Sequence, residues 1–509
     1  MLIEIHVLQN LSPSNPNRDD TGAPKSAYFG GRLRARTSSQ NGKRTIREYA
    51  DFQEVLKGHL GMRTKLFPHL VGERLAKKDC SIPAEDHPRI VQACTRIAKA
   101  DDKGAGKEEK ELADGKKRTP QLIYLDPGHV EEFVSRLERL KAKFPKAYEF
   151  YLNPVAGFQE TMQTALAEAE SLDEDYQKQI VKNAWVIGKL RLTQLTQFDG
   201  EGESQTPPGE EGADPTPETA AWIVGRLDAL AQSEEKKRKD LLTAILKKPG
   251  RQENDQLKDA QPEKPKDYDK FTEQLFEPLR SNAVDIALFG RMTTSDAFED
   301  VEACLEVAHS ISTNEMVREV DFFTALDDLG TGASAAYLDP VGNQFTSNCY
   351  YKYFSLDWTA FVKQLAGSGE NPKALAEAEA LARKALSVLI EAIVHAMPSG
   401  KKKGHANNNP PDAILIEVKS KCIPTNYANA FLTPATPSVD SNPMDDSIKK
   451  LGDYVGQVTS VYSVAAERFW LDLQQRPLVA QSGELAKSLP TLAALIAAVE
   501  KAVPKKEAK

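Results

Sequence analysis

Three arginines, Arg32, Arg34 and Arg36, alternate with Leu33 and Ala35 just after the pair Gly30-Gly31. Alternate residues of a strand share one face, so this spacing predicts three guanidinium groups on one surface. Lys43, Arg44 and Arg47 follow within one or two helical turns of each other. The first 50 residues hold eight Lys or Arg against four Asp or Glu, in a chain whose net charge is -8. A cationic stripe of this kind can bind phosphates. A solvated charged face is the bland account of the same residues.

Other chemistry is sparse. Asp19-Asp20 and Asp327-Asp328 are adjacent carboxylates that could hold a metal or move protons. No His or Glu ligands accompany them, so capping or salt bridging explains them better. The eight histidines show no metal-binding spacing. The phosphate loop GxxxxGK, the nucleophile elbow GxSxG and the zinc motif HExxH are all missing. Tyr350, Tyr351, Tyr353 and Phe354 interleave with Lys352. Sheet-borne aromatics can stack bases, but packing within the sheet is their commoner use.

These residues need elements to position them. Ile3, Ile5 and Val7 alternate with Glu4 and His6, the period of a strand. A polar loop through Asp20 and Pro24 leads to the strand carrying Arg32–Arg36. Ser38-Ser39 then suit a helix start, with the helix expected from about 40 to 56. Helical patterns follow at 129–144, 156–192, 217–232 and 234–248. Residues 199–220 hold seven acids and no Lys or Arg, the composition of a disordered loop. The basic run Lys236, Lys237, Arg238, Lys239, Lys247 and Lys248 lies beyond it. NAVDIALFGRMTTSD reads as an apolar strand ending at Gly290-Arg291-Met292. A strand at 347–357, an Ala-rich helix at 371–397, a strand at 412–419 and helices at 445–475 and 483–503 complete the chain. The strand–helix–strand order suits a split βαβ or RRM-like sheet.

The 509 residues amount to about three domains, or one domain with large insertions. Hydrophobic residues are 40% and charged residues 28%, which excludes wholly disordered and collagen-like chains. No apolar run approaches the roughly 18 residues of a membrane helix, and the N-terminal residues lack a secretory pattern. Five scattered cysteines without a CxxC pair disfavour a disulfide framework and a zinc ribbon, and suit the reducing cytoplasm.

The longer strings go further. IHVLQNLSPSNPNRDDTGAPKSAYFGGRLRARTSSQNGKRTIR resembles the N-terminus of the CRISPR Cascade backbone subunit of subtype I-E, CasC of the Cas-seven family. NAVDIALFGRMTTSD, VDFFTALDDL, QFTSNCYYKYFSLD and MPSGKKKGHANNNPPDAILIEV followed by NYANAF resemble later parts of that family, in the same order. The likeness covers about residues 1–65, 281–358 and 371–435. Between Arg47 and Val284 the chain is much longer than the family pattern.

The resemblance implies an α+β fold: an RRM-like (ferredoxin-like) palm with a large helical fingers insertion and a thumb extension. Residues 1–47 would begin the palm and 48–280 form the fingers, including the acidic loop 199–220. Residues 281–346 would supply a palm strand and the thumb, and 347–509 the rest of the palm with the C-terminal helices. The implied role is a multi-copy, non-enzymatic backbone that polymerises along crRNA and presents it to target DNA in antiviral defence. It implies no cofactor and no metal. Its partners would be crRNA, target DNA, further copies of itself, other Cascade subunits and a recruited nuclease-helicase. The implied RNA-contacting residues are Arg18, Lys25, Arg34, Ser38, Ser39, Gln40, Lys43, Arg44 and Arg47, with Met292 as a wedge between bases and Phe323 and Thr324 in the thumb. Lys236, Lys237, Arg238, Lys239, Lys247 and Lys248 would face target DNA, and Lys401, Lys402 and Lys403 would lie in a palm loop facing nucleic acid. Two alternatives stay open. One is a metal-dependent endoribonuclease using Asp19 or Asp20, and the other is a free-standing RRM-type RNA binder.

Overall fold

The computed structural model describes residues 1–94, 116–119, 122–152, 265–293, 297–320, 324–326, 335–337, 344–367, 372–439 and 441–504. The chain divides into two compact units. One comprises Met1–Leu70, Thr95–Glu132 and Pro278–Lys509, and the other Val71–Cys94 and Phe133–Glu277. Residues 48–70 fall in the same unit as the N-terminal strand, within the stretch 48–280 that the resemblance implies as fingers.

The first unit is built on the alternation at the N-terminus. Leu2–Ser14 forms a long strand, β1. Ile3, Ile5 and Val7 point to one face, and Glu4, His6 and Leu8 to the other; all six are buried. Further strands are β2 (Ser26–Phe29), β3 (Arg32–Thr37), β4 (Leu305–Val307), β5 (Ser310–Ser312), β6 (Glu319–Val320), β7 (Gln344–Asp357), β8 (Ala413–Lys419) and β9 (Glu467–Asp472). Their order is β9-β8-β1-β7-β5-β3-β2, with β4 and β6 also pairing with β7. Every pairing is antiparallel.

Helices cover the face carrying Ile3, Ile5 and Val7. They are α1 (Ser39–Arg47), α2 (Ala50–Val55), α3 (Val284–Phe289), α4 (Trp358–Ala366), α5 (Pro372–His395) and α7 (Leu492–Ala502). Ile46, Phe52, Leu288, Phe361, Leu386 and Leu495 pack there with the strand residues. Between α5 and α7 in the chain, α6 (Pro443–Tyr462) covers the opposite face together with the 3-10 turn Tyr427–Phe431. An Asn442–Asp445 capping box and Pro443 start α6, satisfying its first backbone N–H groups. Both faces of the central sheet are thus buried, which explains the aromatic strand. Tyr350, Tyr351, Tyr353 and Phe354 pack as core residues of β7 and are closed to bases. Lys352 among them has its ammonium pushed down to about 8 by burial.

Three sequence expectations change. NAVDIALF contains the short helix α3, not a strand, and all six of its residues are buried. A short apolar run buried on every side has no periodicity to separate the two. The helix expected at 40–56 breaks at Glu48-Tyr49 into α1 and α2. The helices expected at 445–475 and 483–503 give way to α6, then β9, then a hairpin of Leu478–Ala480 with Gly483–Ala486, then α7.

In the second unit, Tyr148 on the helix Pro145–Leu152 donates to Asp86 (2.9 Å) and lies edge-on to Phe271 of Tyr268–Leu275. The expected helices at 156–192, 217–232 and 234–248 and the acidic loop 199–220 lie outside the described residues. No described helix is long and apolar enough to cross a membrane.

Candidate nucleic-acid interface

The tertiary structure gathers part of the cationic set around the start of α1. Ser38 is the N-cap, and its Oγ accepts from Asn41 N–H at 3.3 Å. Asn17 ties the preceding loop to this helix end. Its Oδ1 accepts from Ser38 N–H (2.9 Å) and its carbonyl from Lys25 N–H (2.8 Å). Asp19 holds the loop itself, accepting from Thr21 N–H, Thr21 Oγ1–H and Ala23 N–H. Arg18, Lys25, Ser38, Ser39 and Gln40 therefore converge near a helix N-terminus, where the backbone dipole favours anions. Arg18, Gln40 and Arg44 are exposed, whereas Lys25, Ser38, Ser39 and Lys43 are half-buried. Asp19 serves the loop fold, the use the sequence favoured over catalysis.

Lys43 links α1 to a second feature. Its Nζ donates to Phe289 O at 3.2 Å, and burial lowers its pKa. An ammonium has three donors, so others remain for a ligand. Phe289 precedes Gly290, whose φ is +81°. Arg291 follows, buried and bonded to carbonyls. Its guanidinium donates to Tyr124 O, Leu279 O and Glu299 O, at 2.6–3.1 Å. Its backbone also exchanges two hydrogen bonds with Val301. Met292 is then left 94% exposed on a braced turn. Replacing Met292 with Ala should change the stability of the RNA-free protein by less than about 1 kcal/mol, against roughly 2–5 kcal/mol for a core methionine. Denaturant unfolding with a clear fall in midpoint would show that the side chain packs after all.

Two expected phosphate ligands are used internally. Arg34 is fully buried. Its Nη1 donates to Ser312 O (3.0 Å) and Thr313 O (2.7 Å), and its Nη2 to Phe431 O (2.7 Å) and Leu432 O (3.3 Å). Four carbonyls saturate the end of the guanidinium, so the three-arginine surface is not formed: Arg32 is exposed, Arg36 half-buried and Arg34 in the core. Arg47 donates from Nε to Asp285 Oδ2 (2.7 Å) and from Nη2 to Gly61 O (2.8 Å), and lies over the Tyr124 ring. Asp285 is itself buried and also accepts from Gly61 N–H and the Tyr124 hydroxyl. Arg47 is thus a partner for a buried carboxylate that would otherwise be unpaired. Arg44 makes only an exposed i,i+4 pair with Glu48, which is worth little and leaves it available.

Lys401, Lys402 and Lys403 lie at a single turn, Lys402–His405, flanked by the left-handed residues Lys401 and Ala406. The side chain of Thr324, and all of Phe323, Lys236, Lys237, Arg238, Lys239, Lys247, Lys248, Asp327 and Asp328, lie outside the described residues.

The sequence reading missed a buried ion network on the aromatic face. Glu4 on β1 sits directly opposite Glu417 on β8. With His6 their ligand atoms fall within 4.8 Å, a grouping that could hold a metal. Lys419 fills that role: its ammonium contacts Glu4 and lies 3.5 Å from Glu417, while Arg468 Nε donates to Glu417 at 2.7 Å. Tyr353 donates to Glu4, and Tyr427 to Glu417. Lys419 and Arg468 thus stand against the two carboxylates, with His6 Nε2 3.7 Å from Glu417. Alternation of Glu4 and His6 with apolar residues was the available signal, but it reads equally as a solvent face.

The antiparallel sheet, covered by helices, thus carries a cationic helix, α1, whose Lys43 bonds the carbonyl of Phe289, three residues before the exposed Met292. The fold is similar to a chain of a "CRISPR RNA-guided surveillance complex, pre-nicking", with a TM-score of 0.56 and 21% identity over 99% of this chain and 100% of that one. A chain of a "CRISPR RNA-guided surveillance complex" is similar at TM-score 0.49 and 18% identity, over 99% and 100%. No curated protein matches the chain. The family model described as "CT1975-like protein" matches residues 3–182 and 155–498, and the chain belongs to that family.

Proposed function

We propose that the protein is a multi-copy, non-enzymatic backbone subunit of a subtype I-E Cascade complex. It polymerises along crRNA and presents the guide for pairing with target DNA. The observation that carries this reading is the join made by Lys43. It connects the middle of the cationic helix α1 to the braced turn from which Met292 projects. Phosphates held at the helix start would leave base edges unread, as a guide requires. A thioether inserted beside them could part neighbouring bases without reading sequence. The strand order β8-β1-β7-β5 supports the RRM-like palm, because it is the 4-1-3-2 order of a split βαβ sheet. Target DNA, other Cascade subunits and a nuclease-helicase would be its further partners, in the cytoplasm.

The test is retention of single-stranded RNA across a salt series. Alanine at Arg18, Lys25 and Arg44 together should lower the log–log salt slope by roughly 0.7 for each phosphate no longer neutralised. Assembly should be concentration-dependent and indifferent to sequence. Unchanged slope, selection of a short motif by a monomer, or metal-dependent cleavage of the RNA would each overturn the reading.

A further inference from the structure

Tyr28 is 81% exposed, on the strand β2 at the end of the sheet. β2 and β3 form a hairpin closed by Gly30 and Gly31, with φ of +59° and +73°. Positive φ at both positions is the mark of a type I′ turn, whose twist matches that of the strands. The hairpin is held firmly at its tip. A Cβ on Gly30 would fall 2.0 Å from Leu432 O, so the turn lies directly against that backbone. Arg34, from β3, bonds the carbonyls of Phe431 and Leu432. An exposed aromatic ring on such a clamped support loses little freedom when something stacks on it.

Tyr28 also has a cation at a fixed spacing. Ser26 and Tyr28 share a face of β2, two residues and about 6.7 Å apart. Arg318 Nη2 donates to Ser26 Oγ at 2.8 Å. Met316 N–H donates to Leu33 O (2.9 Å), and Leu33 is the cross-strand partner of Tyr28. The segment bearing Arg318 is thereby set beside the hairpin. Asp19 also feels the charge of Arg318, but its carboxylate is engaged by Thr21 and Ala23. Tyr28 lies three residues beyond Lys25, the cation that Asn17 ties to the start of α1.

The geometry points to a one-nucleotide platform for single-stranded RNA, with the base stacked on Tyr28 and its phosphate on Arg318. Stacking on a phenol ring tolerates every base, as a guide of any sequence demands. A protein surface would also accept an exposed tyrosine. The guanidinium one strand repeat away and the cationic loop leading to it favour RNA. The platform rests on the RNA-binding reading above and extends it beyond the α1 start.

The experiment uses the full chain and an unstructured RNA oligonucleotide short enough to hold one copy. Tyr28→Ala should weaken binding roughly tenfold with an unchanged salt slope, since no cation is removed. Tyr28→Phe and Tyr28→Trp should bind within about twofold of wild type, because both keep a stacking face. Arg318→Ala should lower the salt slope by roughly 0.7. Three results would overturn the platform: Tyr28→Ala binding as tightly as wild type, Tyr28→Ala losing stability without RNA, or Tyr28→Ala impairing only self-association between copies. Failure here is separable from failure of the wider reading. If the Arg18, Lys25 and Arg44 variant loses salt slope while Tyr28→Ala has no effect, only the platform falls.

Discussion

Arg34→Met is expected to destabilise the RNA-free protein by about 3–5 kcal/mol, although Arg34 belongs to a segment rich in exposed cations. The substitution keeps much of the side-chain volume but leaves the carbonyls of Ser312, Thr313, Phe431 and Leu432 buried without their donor. Each hydrogen bond to a charged group contributes roughly 1.5–3 kcal/mol, and orphaned buried acceptors keep their desolvation cost. Part of the loss is offset, because burial already disfavours the charged guanidinium and lowers its pKa. Lysine should not rescue the site, since three ammonium protons cannot reproduce a planar fork. Urea unfolding at a reduced midpoint, with an unchanged m-value, is the expected reading. Arg44→Ala should give the reverse pattern, with unchanged stability and a reduced salt slope for RNA. Full stability of Arg34→Met, with a reduced salt slope, would return Arg34 to the phosphate ligands.

The second large effect is expected at Lys419. Lys419→Met leaves Glu4 and Glu417 facing each other across β1 and β8, with Arg468 and the His6 ring against Glu417 and no cation against Glu4. Removing one partner of a buried ion pair costs about 3–5 kcal/mol. Adding Glu4→Gln to Lys419→Met should recover part of that loss, because the uncompensated charge goes with it. The same network predicts an acid limit. Burial raises the carboxyl of Glu417, but His6, Lys419 and Arg468 outweigh it and bring it from 4.5 down to about 2. A lowered folded-state pKa contributes stability that is complete above 4.5 and lost as pH falls toward 2. Its size is on the order of 3 kcal/mol. Unfolding measured from about pH 6 to about pH 2 should show this loss in wild type and little of it in Glu417→Gln. Equal acid sensitivity in both would assign the transition to other groups.

Local pattern was legible in the residues. The alternation of Ile3, Ile5 and Val7 marked β1, Ser38 marked the start of α1, and the Ala-rich run marked α5. These features depend on neighbours a few positions apart, as the chemistry that produces them does. The run Val284–Phe289 was not legible, because a helix buried on all sides shows no apolar stripe. Nor were β9 and the hairpin after it, where pairing with β8 and packing against α6 outweigh weak local preference.

The candidate site divides along the same line. That the N-terminal segment is cationic, that its arginines alternate, and that Met292 follows a glycine and an arginine can be read from residue order alone. Which of these cations meet solvent depends on long-range packing. Arg34 is caged by carbonyls 278 to 398 positions away in the chain, and Glu4 by a lysine 415 positions further on. A strand fixes which residues share a face, but what packs against that face decides whether a charge binds a ligand or holds the fold. Arg44 and Arg34 have the same chemistry; one faces water and the other four peptide carbonyls, and that difference arises only when distant segments come together.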